Sequence, residues 1–164
     1  MPAKVDIEAQ QKFHDECLQP VIAKAKAEQC HLYFMDATHL VQGAFLGYLW
    51  CFVRRLVPTP SGRKRYNVLG AYNPITHKIE TITNTTYINS ASVCEMLHKL
   101  ATLHKEEQVV IVLDNASYQR CKLVHDLAKQ LNIELLFLPT YSPNLNLIER
   151  YWKFLKNKCL YNHY

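Results

Sequence analysis

The chain lacks the sequence features of a membrane-spanning or disulfide-stabilised protein. Its longest apolar run, residues 44–53, is shorter than the roughly 20 residues that a membrane-spanning helix needs. The N-terminus has no signal-peptide pattern, and the six cysteines form no C-x-x-C pair and no zinc-finger spacing with histidine. These absences predict a cytoplasmic protein with reduced thiols and no membrane partner. The eight histidines are scattered and indicate no site.

Acidic residues are absent from two segments, residues 37–79 and 150–164, although the chain has 14 of them. The first segment carries Arg54, Arg55, Arg63, Lys64, Arg65 and Lys78, and the second carries Arg150, Lys153, Lys156 and Lys158. Two basic segments on an acidic background favour a polyanionic partner, most simply nucleic acid. A solvated loop and a solvated helix face would give the same charge pattern.

The length of 164 residues fits one domain. Hydrophobic periodicity predicts strands at residues 32–35, 48–53, 66–71, 79–84, 109–113 and 133–138, with a hairpin turn at Asn73-Pro74. Helices are predicted from residue 5 to 26, with Asp6 as N-cap and Pro20 dividing the run. Further helices are predicted from residue 89 or 90, at about 117–131 and at 147–159. This order indicates an α/β domain with a mixed sheet flanked by helices.

Three carboxylates occupy positions that suit catalysis. Asp36 and Asp114 each follow an apolar strand, and Glu149 lies on the first turn of a helix. If the two strands are parallel neighbours, both aspartates reach the same sheet edge, where functional groups gather in α/β proteins. Carboxylate oxygens favour Mg²⁺ or Mn²⁺, and Glu149 would complete a two-metal site for displacement at phosphorus.

Each carboxylate also has an ordinary structural interpretation. Asp36 could begin a turn, and Asp114 or Asn115 could cap the following helix. Glu149 fits a capping box in which Asn146 is the N-cap and Glu149 the third helical residue. The spacing of these residues leaves both interpretations open.

Four segments carry a family resemblance: YFMDATHL (33–40), NVLGA (67–71), VVIVLDNAS (109–117) and LFLPTYSPNLNLIERYWKFLK (136–156). Together they resemble the catalytic core of bacterial insertion-sequence transposases in the mariner-like DDE superfamily. The 34 residues between Asp114 and Glu149 also match that group. The resemblance implies an RNase H-like fold with a five-stranded mixed sheet and a catalytic, metal-binding triad of Asp36, Asp114 and Glu149. It further implies two Mg²⁺ or Mn²⁺ ions, which cleave transposon ends and transfer the freed strand to target DNA.

Other residues receive supporting roles. Lys153 and Lys156 follow Glu149 by four and seven residues, so a helix places them on its side, where we expect them to contact DNA phosphates. The insertion that contains Arg54, Arg55, Arg63, Lys64 and Arg65 resembles a clamp that holds DNA or a partner subunit in the family. Asn115 and Asn146 are expected to support the neighbouring carboxylates.

The resemblance also suggests how the chain is organised. Residues 1–30 would form a helical lead-in, and residues 31–164 a catalytic domain that is short at its C-terminus. No helix-turn-helix module precedes Asp36, so an upstream-encoded DNA-recognition part is expected, with a homodimer as a further option and the bacterial nucleoid as the location. Two alternatives stay open: a truncated or repurposed fragment that binds DNA or a partner without catalysis, and another RNase H-like nuclease.

Overall fold

The computed structural model describes residues 6–41, 52–53, 64–140 and 142–159. Within them, five strands form one mixed sheet in the order β3-β2-β1-β4-β5. The strands are β1 (His31–Val41), β2 (Arg65–Tyr72), β3 (Ile79–Asn84), β4 (Val109–Leu113) and β5 (Ile133–Phe137). β1 and β2, and β2 and β3, pair antiparallel, whereas β4 is parallel to both β1 and β5. The predicted mixed five-stranded sheet is confirmed.

The helices are α1 (Ile7–Phe13), a π-helical turn (His14–Leu18), α2 (Gln19–Lys26), α3 (Ser90–Leu103), α4 (Lys122–Gln130), a 3₁₀ turn (Pro143–Leu145) and α5 (Leu147–Cys159). Asp6 caps α1 by accepting a hydrogen bond from the Ala9 N–H at 3.0 Å, as predicted. The predicted break at Pro20 is wrong, because the π-helical turn continues directly into α2. Proline lacks an N–H donor and crowds the preceding turn, and a wider turn accommodates both effects.

The sheet has a hydrophobic core on each face. One core packs α3 and α4 against inward-facing residues such as Leu69, Ile111 and Leu113. The other packs α2 and α5 against residues such as Phe34 and Val112. All five residues of β4 are buried, as expected for a central strand covered on both faces. The helical segment before β1 therefore shares a core with the sheet, and the boundary at residue 30 stays a prediction.

Three predicted elements differ from the structure. β1 extends to Val41, well beyond the apolar run, because its polar second half pairs with β2. Helix α4 begins at Lys122 instead of residue 117, and Leu123, which the helical spacing assigns to its apolar side, is 59% exposed. Of the strand predicted at residues 48–53, only Phe52 and Val53 lie within the described residues, and they are exposed and outside any strand.

The hairpin and the α3 start match the predictions. β2 and β3 are joined at Asn73, whose side-chain oxygen accepts hydrogen bonds from the N–H groups of Ile75 and Thr76. Asn89 caps α3 in a reciprocal capping box with Ser92. None of the helices in the described part of the chain is long and apolar enough to cross a membrane. The five described cysteines are free thiols.

Candidate active site

Asp36 and Asp114 lie next to each other where the parallel pairing of β1 and β4 ends. The last registered pair is Met35 with Leu113, so the two aspartates are the next residues on neighbouring strands. Strand alternation places both on the same face as Phe34 and Val112, which is the face covered by α5. Asp36 lies within β1 and Asp114 follows β4, so the prediction that Asp36 ends its strand is wrong, although its position beside Asp114 is as expected.

Helix α5 brings Glu149 to this edge. Ile148 and Trp152 are 0% and 5% exposed and anchor the helix in the core on that face. Gly70 of β2, which pairs directly with Asp36, makes the close approach of the helix feasible. A Cβ atom at Gly70 would lie 2.5 Å from Trp152 Cζ2, closer than atoms can pack, and 3.0 Å from Ile148 Cδ1, which is also a tight contact. The apolar spacing of α5 indicates that Trp152 is buried, but nothing in the sequence pattern predicts its contact with Gly70.

The side chains of Asn146 and Asn115 make hydrogen bonds close to the ends of β4 and β5. Asn146 is fully buried, and its Nδ2 donates a hydrogen bond to Asp114 Oδ1 at 3.2 Å. Its Oδ1 accepts none among the described residues, so the predicted side-chain capping box with Glu149 is wrong. Instead, the amide NH₂ group of Asn146 faces the carboxylate of Asp114. Asn115 Nδ2 donates to the Leu138 carbonyl, and this bond ties the loop after β4 to the end of β5.

Burial raises the pKa of all three carboxylates. Burial, and next the charge of Asp114, raise the pKa of Asp36 from 3.8 to about 7, although the Ala37 N–H and Lys156 oppose the shift. Burial also raises the pKa of Asp114, against the hydrogen bond from Asn146. The pKa of Glu149 rises through burial and then through the charge of Asp114. Three carboxylates that disfavour their own ionisation are the arrangement that a bound cation would stabilise.

Glu149 separates two open clefts. The first is lined by Asp36, Glu149, Lys153 and Lys156, and also by Trp152 and His39. The second is lined by Asp114, Asn115 and Glu149, with Ser142. Carboxylate and amide oxygens on an open edge fit Mg²⁺ or Mn²⁺, which keep part of their water shell and bind phosphate oxygens.

The predicted basic residues divide into three groups. Lys153 and Lys156 lie on the carboxylate side of α5 and line the first cleft, as predicted from their spacing. Lys64 and Arg65 are exposed at the start of β2, where Arg65 Nε donates to Asn67 Oδ1 at 2.8 Å. Arg54, Arg55 and Arg63 lie outside the described residues.

Sequence reasoning misses one further group near the carboxylates. The Tyr118 side chain is half-buried, and its pKa is raised by burial and then by the charges of Asp36 and Asp114. Its phenol therefore lies within electrostatic reach of both aspartates. The residue stands in a turn before α4, where no local pattern distinguishes it.

The chain resembles known proteins in sequence. The family model described as DDE superfamily endonuclease matches residues 31–164. The chain is 25% identical over 112 residues to an Insertion element IS630 uncharacterized 39 kDa protein of Shigella sonnei, and the match covers 67% of this chain and 32% of that protein. The chain thus spans about a third of the length of this curated relative.

Solved structures show the same fold. The crystal structure of the Mos1 Strand Transfer Complex superposes with a TM-score of 0.66 at 16% identity, over 98% of this chain and 50% of that one. The Mos1 mariner paired end complex with Mn gives 0.64 at 15% identity, over 99% and 52%. The mixed five-stranded sheet with flanking helices matches the RNase H-like fold of transposase and integrase catalytic cores. With a family model that matches most of its length, the chain belongs to the DDE superfamily endonuclease family.

Proposed function

We propose that this chain is the catalytic part of a DDE transposase, which cleaves DNA at transposon ends and transfers the freed strand to target DNA. The observation that carries the proposal is the convergence of Asp36, Asp114 and Glu149 at one sheet edge, from two parallel strands and a helix. Family membership and the likeness to the Mos1 strand transfer and paired end complexes support the same function.

Asp36, Asp114 and Glu149 would hold two Mg²⁺ or Mn²⁺ ions. When bound, such ions lower the pKa of an attacking water or hydroxyl and stabilise the leaving oxygen in phosphoryl transfer. The fit rests on the donor set and on the raised pKa values of all three carboxylates. The Mos1 paired end complex with Mn supports divalent metal use in this fold.

The protein's own groups orient the reactants. Asn146 fixes the Asp114 carboxylate through its 3.2 Å hydrogen bond, so one oxygen keeps a constant direction. Lys153 and Lys156, beside Asp36 and Glu149, offset the charge of an incoming phosphodiester. Among the described residues, the clefts on both sides of Glu149 are open, as a site that binds a long polymer requires.

The same proposal extends to partners. We infer that transposon-end DNA and target DNA bind along the lysine side of α5, and that Arg54, Arg55, Arg63, Lys64 and Arg65 also contact DNA. An upstream-encoded helix-turn-helix part would supply end recognition, and a second copy of the chain would pair two ends. The protein would then work in the bacterial cytoplasm, at the nucleoid.

Plasmid cleavage tests the proposal. The substrate is a supercoiled plasmid that carries the chromosomal sequences flanking the protein's own coding region, incubated with Mg²⁺ or Mn²⁺. We expect the parent protein to nick and cleave this DNA and Asp114→Asn to lose the activity. Asp126→Asn is the matched control, because Asp126 is a carboxylate on α4, on the other face of the sheet.

The outcomes separate the alternatives. Equal cleavage by the parent and Asp114→Asn would refute the triad. DNA binding without cleavage in either metal would favour a repurposed, non-catalytic fragment. Cleavage of unrelated branched DNA in preference to the flanking sequences would favour another RNase H-like nuclease.

A further inference from the structure

A second group of side chains of metal-ligating types lies at the start of β1, whereas Asp36 lies at the middle of that strand. His31 is the first residue of β1, His104 is the C-cap of α3, and Glu107 lies in the turn before β4. One ligand atom from each lies within 4.8 Å of the other two. His31 and Asp36 are five positions apart along the strand, which corresponds to about 17 Å. This cluster is therefore distinct from the carboxylate edge.

Hydrogen bonds and close polar contacts connect the members of this cluster. His31 Nε2 is hydrogen-bonded to Glu107 Oε2, and His104 Nδ1 lies 3.9 Å from the same oxygen. His104 Nε2 is 2.7 Å from the hydroxyl of Tyr33, a residue that is 3% exposed. The phenol thus occupies one nitrogen of the ring and leaves Nδ1 facing Glu107. Metal-bound histidines are typically oriented by such a partner on the other ring nitrogen.

The ring arrangement determines what must move on binding. The imidazoles of His31 and His104 stack with centroids 3.6 Å apart and planes inclined by 20°. Nitrogen lone pairs lie in the ring planes, so sharing one ion requires the rings to swing apart about their Cβ–Cγ bonds. His31 and Glu107 are 30% and 61% exposed and have room for this rotation, whereas Tyr33 holds His104 in place.

We propose that His31, His104 and Glu107 form a binding site for a divalent transition-metal ion of the zinc type. Two imidazoles and one carboxylate are a three-ligand set that proteins use for Zn²⁺, with water in the fourth position. Imidazole nitrogen favours Zn²⁺ over Mg²⁺, so this cluster and the carboxylate edge would select different metals.

The bound ion would join the first residue of β1 to the turn between α3 and β4. A backbone hydrogen bond from the His31 N–H to the Gln108 carbonyl, at 2.8 Å, already spans this junction. A metal bridge would add a link between residues that are 73 or more positions apart in sequence. It would stabilise the fold without taking part in DNA cleavage.

Zinc titration in an Asp36→Asn/Asp114→Asn background tests the proposal, since this background removes the carboxylate edge as a competing site. Zn²⁺ affinity is measured by competition with a chromophoric chelator, and Co²⁺ serves as a spectroscopic substitute. We expect one ion per chain, a tetrahedral Co²⁺ visible spectrum and a raised thermal midpoint with Zn²⁺. Mg²⁺ in millimolar amounts should reproduce none of these effects.

Single substitutions identify the ligands. Glu107→Gln and His31→Gln, at partly exposed positions, should each weaken Zn²⁺ binding about tenfold or more, with circular dichroism to verify folding. His98→Gln is the matched control, because His98 is an exposed histidine on α3 outside the cluster. Unchanged Zn²⁺ affinity in both cluster variants, or an equal loss in His98→Gln, would overturn the proposal and leave a hydrogen-bonded trio.

Discussion

The buried charge of Asp36 provides a quantitative test of the candidate site. Its pKa of about 7, against an ordinary value of 3.8, means that the folded protein holds the neutral form more tightly than the unfolded chain does. Between pH values near 4 and 7 the folded state therefore binds the extra proton, and the free energy of unfolding falls as pH rises. A shift of about three pKa units corresponds to about 4 kcal/mol, which is present below pH 4 and lost above pH 7.

Asp36→Asn removes this dependence while keeping the side-chain shape and an oxygen that can accept from the Ala37 N–H. We expect the variant to gain about 3 kcal/mol relative to the parent between pH 4.5 and pH 8, in EDTA. Urea denaturation at several pH values gives the difference, and comparing two pH values cancels any constant effect of the amide. Asp126→Asn, on α4 at the other face of the sheet, is the control and should show no such trend.

Divalent metal should reverse the sign of the difference in free energy of unfolding between Asp36→Asn and the parent at high pH. Mg²⁺ at pH 8 stabilises the parent in proportion to the logarithm of its concentration over Kd, whereas Asp36→Asn has lost one ligand and gains less. The reasoning is refuted if the difference between parent and variant stays constant from pH 4.5 to 8. That outcome would mean that Asp36 ionises in the folded protein as it does in the unfolded chain.

Two further predictions concern α5. Gly70→Ala should lower the free energy of unfolding by about 1–3 kcal/mol through overpacking against Trp152, and it should reduce plasmid cleavage by displacing Glu149. Adding Trp152→Phe should restore part of the stability and part of the cleavage. A Gly70→Ala variant with parental stability and cleavage would contradict the role of this contact. The pair Lys153→Ala/Lys156→Ala should reduce the slope of log affinity for duplex DNA against log salt by about 2, since each phosphate contact contributes about 0.9. Lys129→Ala on α4 is the control for that slope, and a double variant with the parental slope would exclude both lysines from the DNA interface.

Local patterns are sufficient to predict most of the sheet and α5. The β-branched run at Val109–Leu113 and the apolar spacing of Ile148 and Trp152 report burial directly, so their elements follow from the sequence. The second half of β1 carries no such pattern. Its residues are in a strand because β2 lies beside them, and the two strands are separated by a long stretch of chain. A short segment of sequence therefore cannot show that the second half of β1 is a strand.

The side-chain contacts of the two sites are predictable to different degrees. Asp36 and Asp114 can be paired in advance because parallel strands bring their carboxyl ends to one edge. The role of Asn146 is easily misread, because a capping box and a hydrogen bond to Asp114 use the same residue type and differ only in which way the amide points. The group of His31, His104 and Glu107 cannot be found from the sequence, since a loop and a strand start meet only after the sheet has formed.

The position of Glu149 depends on packing more than on its own helix turn. Asp36 and Asp114 are fixed by strand register, but a helix can slide or tilt on a sheet unless side chains interlock. Here Trp152 enters the space that the absent side chain of Gly70 leaves open, and Gly70 pairs with Asp36 itself. We therefore expect the contact between Trp152 and Gly70 to determine where Glu149 lies relative to Asp36. Although Gly70 has no polar side-chain atom, we expect Gly70→Ala to change the geometry of the carboxylate edge. The variant should therefore cleave DNA more slowly than the parent even under conditions in which it remains folded.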